Sequence, residues 1–148
     1  MLPERFFSVK IFAMEIHTFR LRPGDSLRKS IQKYAAENSF SAGLVLSVVG
    51  GLKEVNLRMP GATPTKQVVK TLKHDLEIVS IQGTVEKDDC HIHISVSGKT
   101  GKVYGGHLKE GVVRITAEVS LLELPDRKFL REFDPETGFN ELVVKYLK

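Results

Sequence analysis

From Cys90 to Val96 the chain alternates without a break: Cys90-His91-Ile92-His93-Ile94-Ser95-Val96. Successive side chains of a β-strand point to opposite faces, so such a run is a half-buried strand. Ile92, Ile94 and Val96 then face a core, and His91 and His93 share the opposite face. A glycine-bounded segment, Gly98-Lys99-Thr100-Gly101, leads into a second run, Lys102 to Leu108. Two runs joined in this way read as an antiparallel hairpin.

The hairpin register decides where His107 points. With a three-residue loop, Lys99-Thr100-Gly101, and Gly101 left-handed, Gly98 faces Lys102 and His93 faces His107. With a two-residue loop, Thr100-Gly101, His107 stands opposite Ile94. With a four-residue loop from Gly98 it stands opposite Ile92. Either of these turns it toward the core. In the first register three imidazoles converge on one side.

Three histidines on a rigid hairpin suit zinc or a similar divalent ion. Neutral imidazole is a borderline ligand, and three protein ligands leave a fourth position open. His-x-His alone is a weak signal. A third histidine across a glycine-marked hairpin strengthens it. Gly105 and Gly106 remove side chains beside His107 and leave room for a ligand or for close backbone approach. Glu77, on the preceding strand, is a candidate to orient an imidazole from behind. Cys90 alternates to the core face and reads as a buried thiol. His17 and His74 read as structural.

The remainder organises around this hairpin as one domain. Residues 15–21 read as a strand. Leu27, Ile31, Tyr34 and Ala35 then recur on one face of a helix, with Asp25 or Ser26 as its cap and Asn38 as its stop. Strands are expected at 42–49 and 52–58, broken by Gly50-Gly51, and at about 66–72, 76–87, 90–97, 102–108 and 112–124. Residues 125–140 read as irregular, and 141–147 as a strand or short helix. One helix among many antiparallel strands is an α+β class. A single helix covers little of such a sheet, which favours an oligomer. Residues 1–13 read as an N-terminal extension, with Met14 as an alternative start and 14–148 as the domain.

Composition narrows the function classes. The net charge is +4, from 22 basic and 18 acidic residues, and basic clusters such as Arg28-Lys29 and Arg127-Lys128 are short. This balance permits a phosphate-rich partner without demanding one. The one cysteine excludes a disulfide framework and fits a reducing, cytoplasmic setting. No apolar run approaches the roughly 20 residues that span a bilayer, so no membrane partner is expected.

The segments LEIVSIQGTV, HIHISVSGKTGKVYGGHL and FDPETGFNEL resemble the PPC, or plants and prokaryotes conserved, domain. That domain accompanies AT-hooks in plant nuclear proteins. The likeness runs over about residues 14–147, and the GGH hairpin is its most specific part. It implies the stand-alone prokaryotic type, a homotrimer, and a metal site at the positions of His91, His93 and His107. The chain has no Arg-Gly-Arg-Pro core, so the AT-hook's minor-groove contact does not carry over. The expectation is an interaction protein with DNA or a regulatory protein as partner. The alternative is a small metal-dependent enzyme built on the open three-histidine site.

Overall fold

The computed structural model describes residues 13–147. The N-terminal extension expected over 1–13 therefore lies, apart from Ala13, outside the described residues. The element order is β1 (Glu15–Leu21), α1 (Leu27–Glu37), β2 (Gly43–Arg58), β3 (Val69–Leu72), β4 (Leu76–Val85), β5 (Cys90–Gly98), β6 (Val103–Glu123), β7 (Arg127–Asp134) and β8 (Phe139–Tyr146). This is a mainly antiparallel α+β fold with one helix among the described residues.

The main sheet has the order β1-β6-β5-β4-β2-β3, and β6 pairs with β2 as well. Strands β2, β4, β5 and β6 thus close into a ring, with β1 and β3 flanking it. Register shifts at Val45/Ser47, Gly50/Leu52, Leu52/Glu54 and Asn56/Leu57 interrupt the β2–β6 ladder. Bulges of this kind bend a strand and increase its twist, which lets β2 serve β4 and β6 at once. The expected break at Gly50-Gly51 is one of these irregularities inside a single 16-residue strand. The runs expected at 102–108 and 112–124 are likewise one 21-residue strand. Gly111 is buried and paired with Val55, so the chain crosses it without a turn.

Helix α1 packs one face onto the sheet. Leu27, Ile31 and Ala35 are fully buried against a core that includes Phe40, Leu52 and Leu121. Burial of each large apolar side chain contributes about 2 kcal/mol. Ser26 occupies the N-cap, but its side chain makes no capping bond, and its Oγ is buried without a partner. The Asp25 carboxylate instead accepts from the Arg22 amide at 2.7 Å. The expected side-chain cap is replaced by a bond that closes the preceding turn. Asn38 ends the helix as expected, its side chain donating to the Tyr34 carbonyl at 2.8 Å.

The stretch 125–140, expected to be irregular, holds β7 and the turn into β8. These two strands form a separate hairpin paired from Arg127↔Tyr146 to Asp134↔Phe139. Phe129 carries it onto the body of the protein: the side chain is buried, and its amide donates to the Ser41 carbonyl at 2.9 Å. Phe133, Val144 and Tyr146 stay exposed. The alternation was therefore too weak to mark β7 as a half-buried strand.

Candidate metal centre

The β5–β6 hairpin has the register that brings the three histidines together. Ser97 faces Val103 and His93 faces His107. The turn is closed by the Gly98 amide donating to the Lys102 carbonyl at 3.0 Å and the Gly101 amide donating to the Gly98 carbonyl at 2.9 Å. Gly101 has φ +79°, the left-handed conformation that a three-residue loop requires. On the inner face Ile92, Ile94 and Val96 are buried, and they hold the opposite face outward.

His91, His93 and His107 form a tight group. Ring centroids are 5.1 Å apart for His91–His93, 4.9 Å for His91–His107 and 5.6 Å for His93–His107. One ring nitrogen from each lies within 4.8 Å of the others. The Nε2 atoms of His91 and His93 approach to 3.1 Å. Two imidazoles sharing a tetrahedral zinc, with Zn–N near 2.0–2.1 Å, place their nitrogens about 3.3 Å apart. The donor set therefore fits a divalent ion of zinc size.

The surroundings favour the neutral form of His91 and His107. Burial lowers the pKa of His107 to about 3, helped by the positive charge of Arg58 and by the other two histidines. His91 is lowered as well, first by burial, then by His93, Arg131 and Arg58. A ligand imidazole must be unprotonated, and partial burial near other cations produces that form.

Several residues around the group were not legible as site residues. Gln82 pairs with His93 and Thr84 with His91 across the β4–β5 ladder. Arg58, at the end of β2, pairs with His107 on the other side of β6, and its Nη2 lies 3.4 Å from His107 Nδ1. Arg131 of β7 donates to Thr84 Oγ1 at 2.8 Å and to Glu86 Oε1 at 3.1 Å. Glu141 of β8 lines the same clefts as His91 and Arg131. Strands far apart in sequence bring these groups in. Only the β7–β8 pattern could have signalled Glu141 and Arg131.

Glu77 is not brought to the site. It pairs with Ser97, whereas Gln82 faces His93, so five residues of strand, about 16 Å, separate it from the imidazoles. It lies 4.0 Å from Arg114 instead. Gly105 and Gly106 line a cleft with His93 and His107, but close packing is what requires them. A Cβ on Gly106 would stand 2.9 Å from the Arg58 carbonyl oxygen, and one on Gly105 would stand 3.0 Å from Ser95 Oγ.

Cys90 is buried on the core side. His17 Nδ1 is hydrogen-bonded with Tyr34 Oη at 3.2 Å, and its Nε2 lies 3.4 Å from the Glu123 carboxylate. His74 is exposed in a turn. The short basic clusters are engaged too: Arg28 pairs with Asp89 and Arg127 with Asp126.

The sequence profile of the Plants and Prokaryotes Conserved (PCC) domain, written PPC above, matches residues 11–125. The chain belongs to the PCC family. Among solved structures, the PCC chain is similar to a Salmonella enterica protein (TM-score 0.84, 28% identity, covering 90% of this chain and 95% of that one). It is similar to the metal-containing protein AF0104 from Archaeoglobus fulgidus (TM-score 0.77, 32% identity, covering 91% and 99%). It is also similar to a plant- and prokaryote-conserved protein from Pyrococcus horikoshii (TM-score 0.78, 27% identity, covering 96% and 99%). Among curated proteins, it is 34% identical over 134 residues to the bifunctional protein GlmU of a Synechococcus strain. That match covers 90% of this chain and 21% of GlmU, so the PCC chain spans about a fifth of the length of that relative. No described helix is long and apolar enough to cross a membrane.

Proposed function

We propose that this PCC domain binds a divalent metal of the zinc class through His91, His93 and His107, and acts as an interaction protein in a homotrimer. The observation that carries the reading is the 3.1 Å approach of His91 Nε2 to His93 Nε2, beside a His107 ring held neutral. The Archaeoglobus relative, described as metal-containing, supports it. A zinc-class ion with three protein ligands supplies a Lewis-acidic position open to water or another ligand. Here the imidazoles are fixed by paired strands, and Arg58, Arg131 and Glu141 set the charge around them.

The trimer draws on the resemblance to PPC proteins and on an uncovered surface. Ile16, Val49, Val79 and Ile115, from four strands of the main sheet, are each more than half exposed. Sedimentation of the untagged protein would give a trimer mass. A monomer at every working concentration overturns this part. DNA as the partner rests on the basic balance and the family resemblance. Retention on duplex DNA that falls with salt supports it, and no retention at low salt rules it out.

Metal analysis decides the core of the proposal. Untagged protein should carry close to one ion per chain, and His107→Ala should carry far less. Equal and substoichiometric metal in both makes the histidines structural. A second reading, a small metal-dependent enzyme, draws on Glu141, a carboxylate that lines the clefts with His91 and could accept a proton. Turnover in a hydrolase screen that is abolished by Glu141→Gln favours it. No turnover by fully loaded protein favours the interaction role.

A further inference from the structure

We infer that the histidine site takes a small oxyanion, a phosphate or carboxylate group, and that Arg58 recognises it. This inference rests on the metal reading above.

Among the described arginines lining this cleft, Arg58 is the one without a carboxylate partner. Its neighbours in the cleft are committed, Arg28 to Asp89 at 3.1 Å and Arg131 to Glu86 at 3.1 Å. Among the described residues, no carboxylate lies within 4.0 Å of Arg58. Its side chain is nevertheless placed: Cζ lies 5.5 Å from the centre of the Phe139 ring, and Nη2 faces His107. A guanidinium presents five N–H donors in a planar fork that matches carboxylate and phosphate oxygens. Such a group, held in position with donors to spare, is suited to a ligand that brings the acceptors.

A metal at the histidines makes this need sharper. His107 offers one nitrogen to the ion. If that is Nε2, Nδ1 carries the proton, and a donor then faces the Arg58 donor 3.4 Å away. If it is Nδ1, the ion itself stands beside the guanidinium. Either arrangement sets positive against positive in a partly buried site, where charges are weakly screened. Lys109 also lines this cleft and has no carboxylate partner within 4.0 Å among the described residues. Glu141 is the acid on its wall without a basic partner at that distance. A divalent ion, Arg58 and Lys109 together outweigh that single negative charge. An anion bridging the ion and Arg58 would remove the conflict, with one oxygen on the metal's open position and the others on the fork.

The test uses full-length, untagged protein loaded with Co(II), whose visible spectrum reports its ligands, titrated with inorganic phosphate and separately with acetate. Wild type should show a saturable spectral change with at least one of them, and the stronger of the two names the class. Arg58→Gln should keep its metal and bind that anion about tenfold or more weakly, as expected for a lost charged hydrogen bond. Arg58→Lys, which keeps the charge and loses the fork, should fall between and guards against a folding defect in the glutamine variant. Full metal with no anion response in wild type overturns this inference alone. So does equal anion binding by wild type and both variants. Failure of wild type to hold any metal overturns the metal reading and this inference with it.

Discussion

His93 and His107 stand directly opposite one another across the β5–β6 ladder, so the third imidazole reaches the other two through strand pairing alone. Exchanging His93 with its neighbour Ile94 should undo this. The double substitution His93→Ile, Ile94→His keeps composition but turns one imidazole into the core. Metal content should fall to background. Stability should drop by about 2 kcal/mol or more from the buried polar ring and the lost isoleucine packing, as read by urea denaturation. Unchanged metal content would show that the face assignment does not govern the site.

The metal-free protein should lose stability as pH falls below about 6.5. His107 and His91 have folded-state pKa values below their ordinary value, near 3 for His107. In the unfolded chain they take up protons near pH 6.5. Between about pH 6.5 and 3 the unfolded state binds more protons, so stability rises with pH through that window and levels off above it. Thermal melts from pH 4 to 8 should show this slope, and His107→Ala should flatten part of it.

Arg131 ties the β7–β8 hairpin to the end of β4, through Thr84 and through a largely buried ion pair with Glu86 just beyond it. The Glu86 side chain is 6% exposed and the Arg131 side chain 14%, and burial raises the Glu86 pKa despite the guanidinium. Arg131→Ala leaves that carboxylate without its partner and should cost about 3 kcal/mol. The double variant Arg131→Met, Glu86→Gln should be less destabilised than the single one. Denaturant midpoints of the three proteins give the comparison.

Cys90 should be inert in the folded protein. Burial raises its thiol pKa to about 11, so almost no thiolate exists at neutral pH. A thiol reagent should label it only after denaturation. Rapid labelling of native protein would contradict the buried position.

Glu77→Gln should leave metal content and stability nearly unchanged, because Glu77 is exposed and lies 4.0 Å from its partner Arg114, and such exposed pairs contribute little. Glu141→Gln, in contrast, removes a negative charge beside His91 and should lower that ring's pKa further. Titration of the imidazole resonances would read the shift.

Period-two patterning carried much of this fold. Ile92, Ile94 and Val96 announced both a strand and its buried face, and the glycine at position 101 marked a turn whose loop length set His107. Helix α1 was visible for the same reason, through Leu27, Ile31 and Ala35. What escaped was non-local. Nothing in the pattern of β2 says that Arg58 will lie beside His107, because that contact arises only when the bulged strand curls back to close the ring. Glu77 is close to the hairpin in sequence, but its place opposite Ser97 keeps it from the imidazoles. Glu141, which does reach the clefts, comes from the far end of the chain, in a hairpin whose exposed Phe133 and Tyr146 hide the alternation.

Because β5 is paired with β4 on one side and, from His93 to Ser97, with β6 on the other, the amides of His93 and Ile94 sit in the part of the sheet that opens last. Their hydrogen exchange should run at the rate of global unfolding. The β7–β8 hairpin is a sheet of its own, and its amides can exchange by separating from the body while the ring stays shut. Slow exchange beneath the imidazoles and faster exchange in the wall beside them would let a small ligand come and go without disturbing what holds the ion.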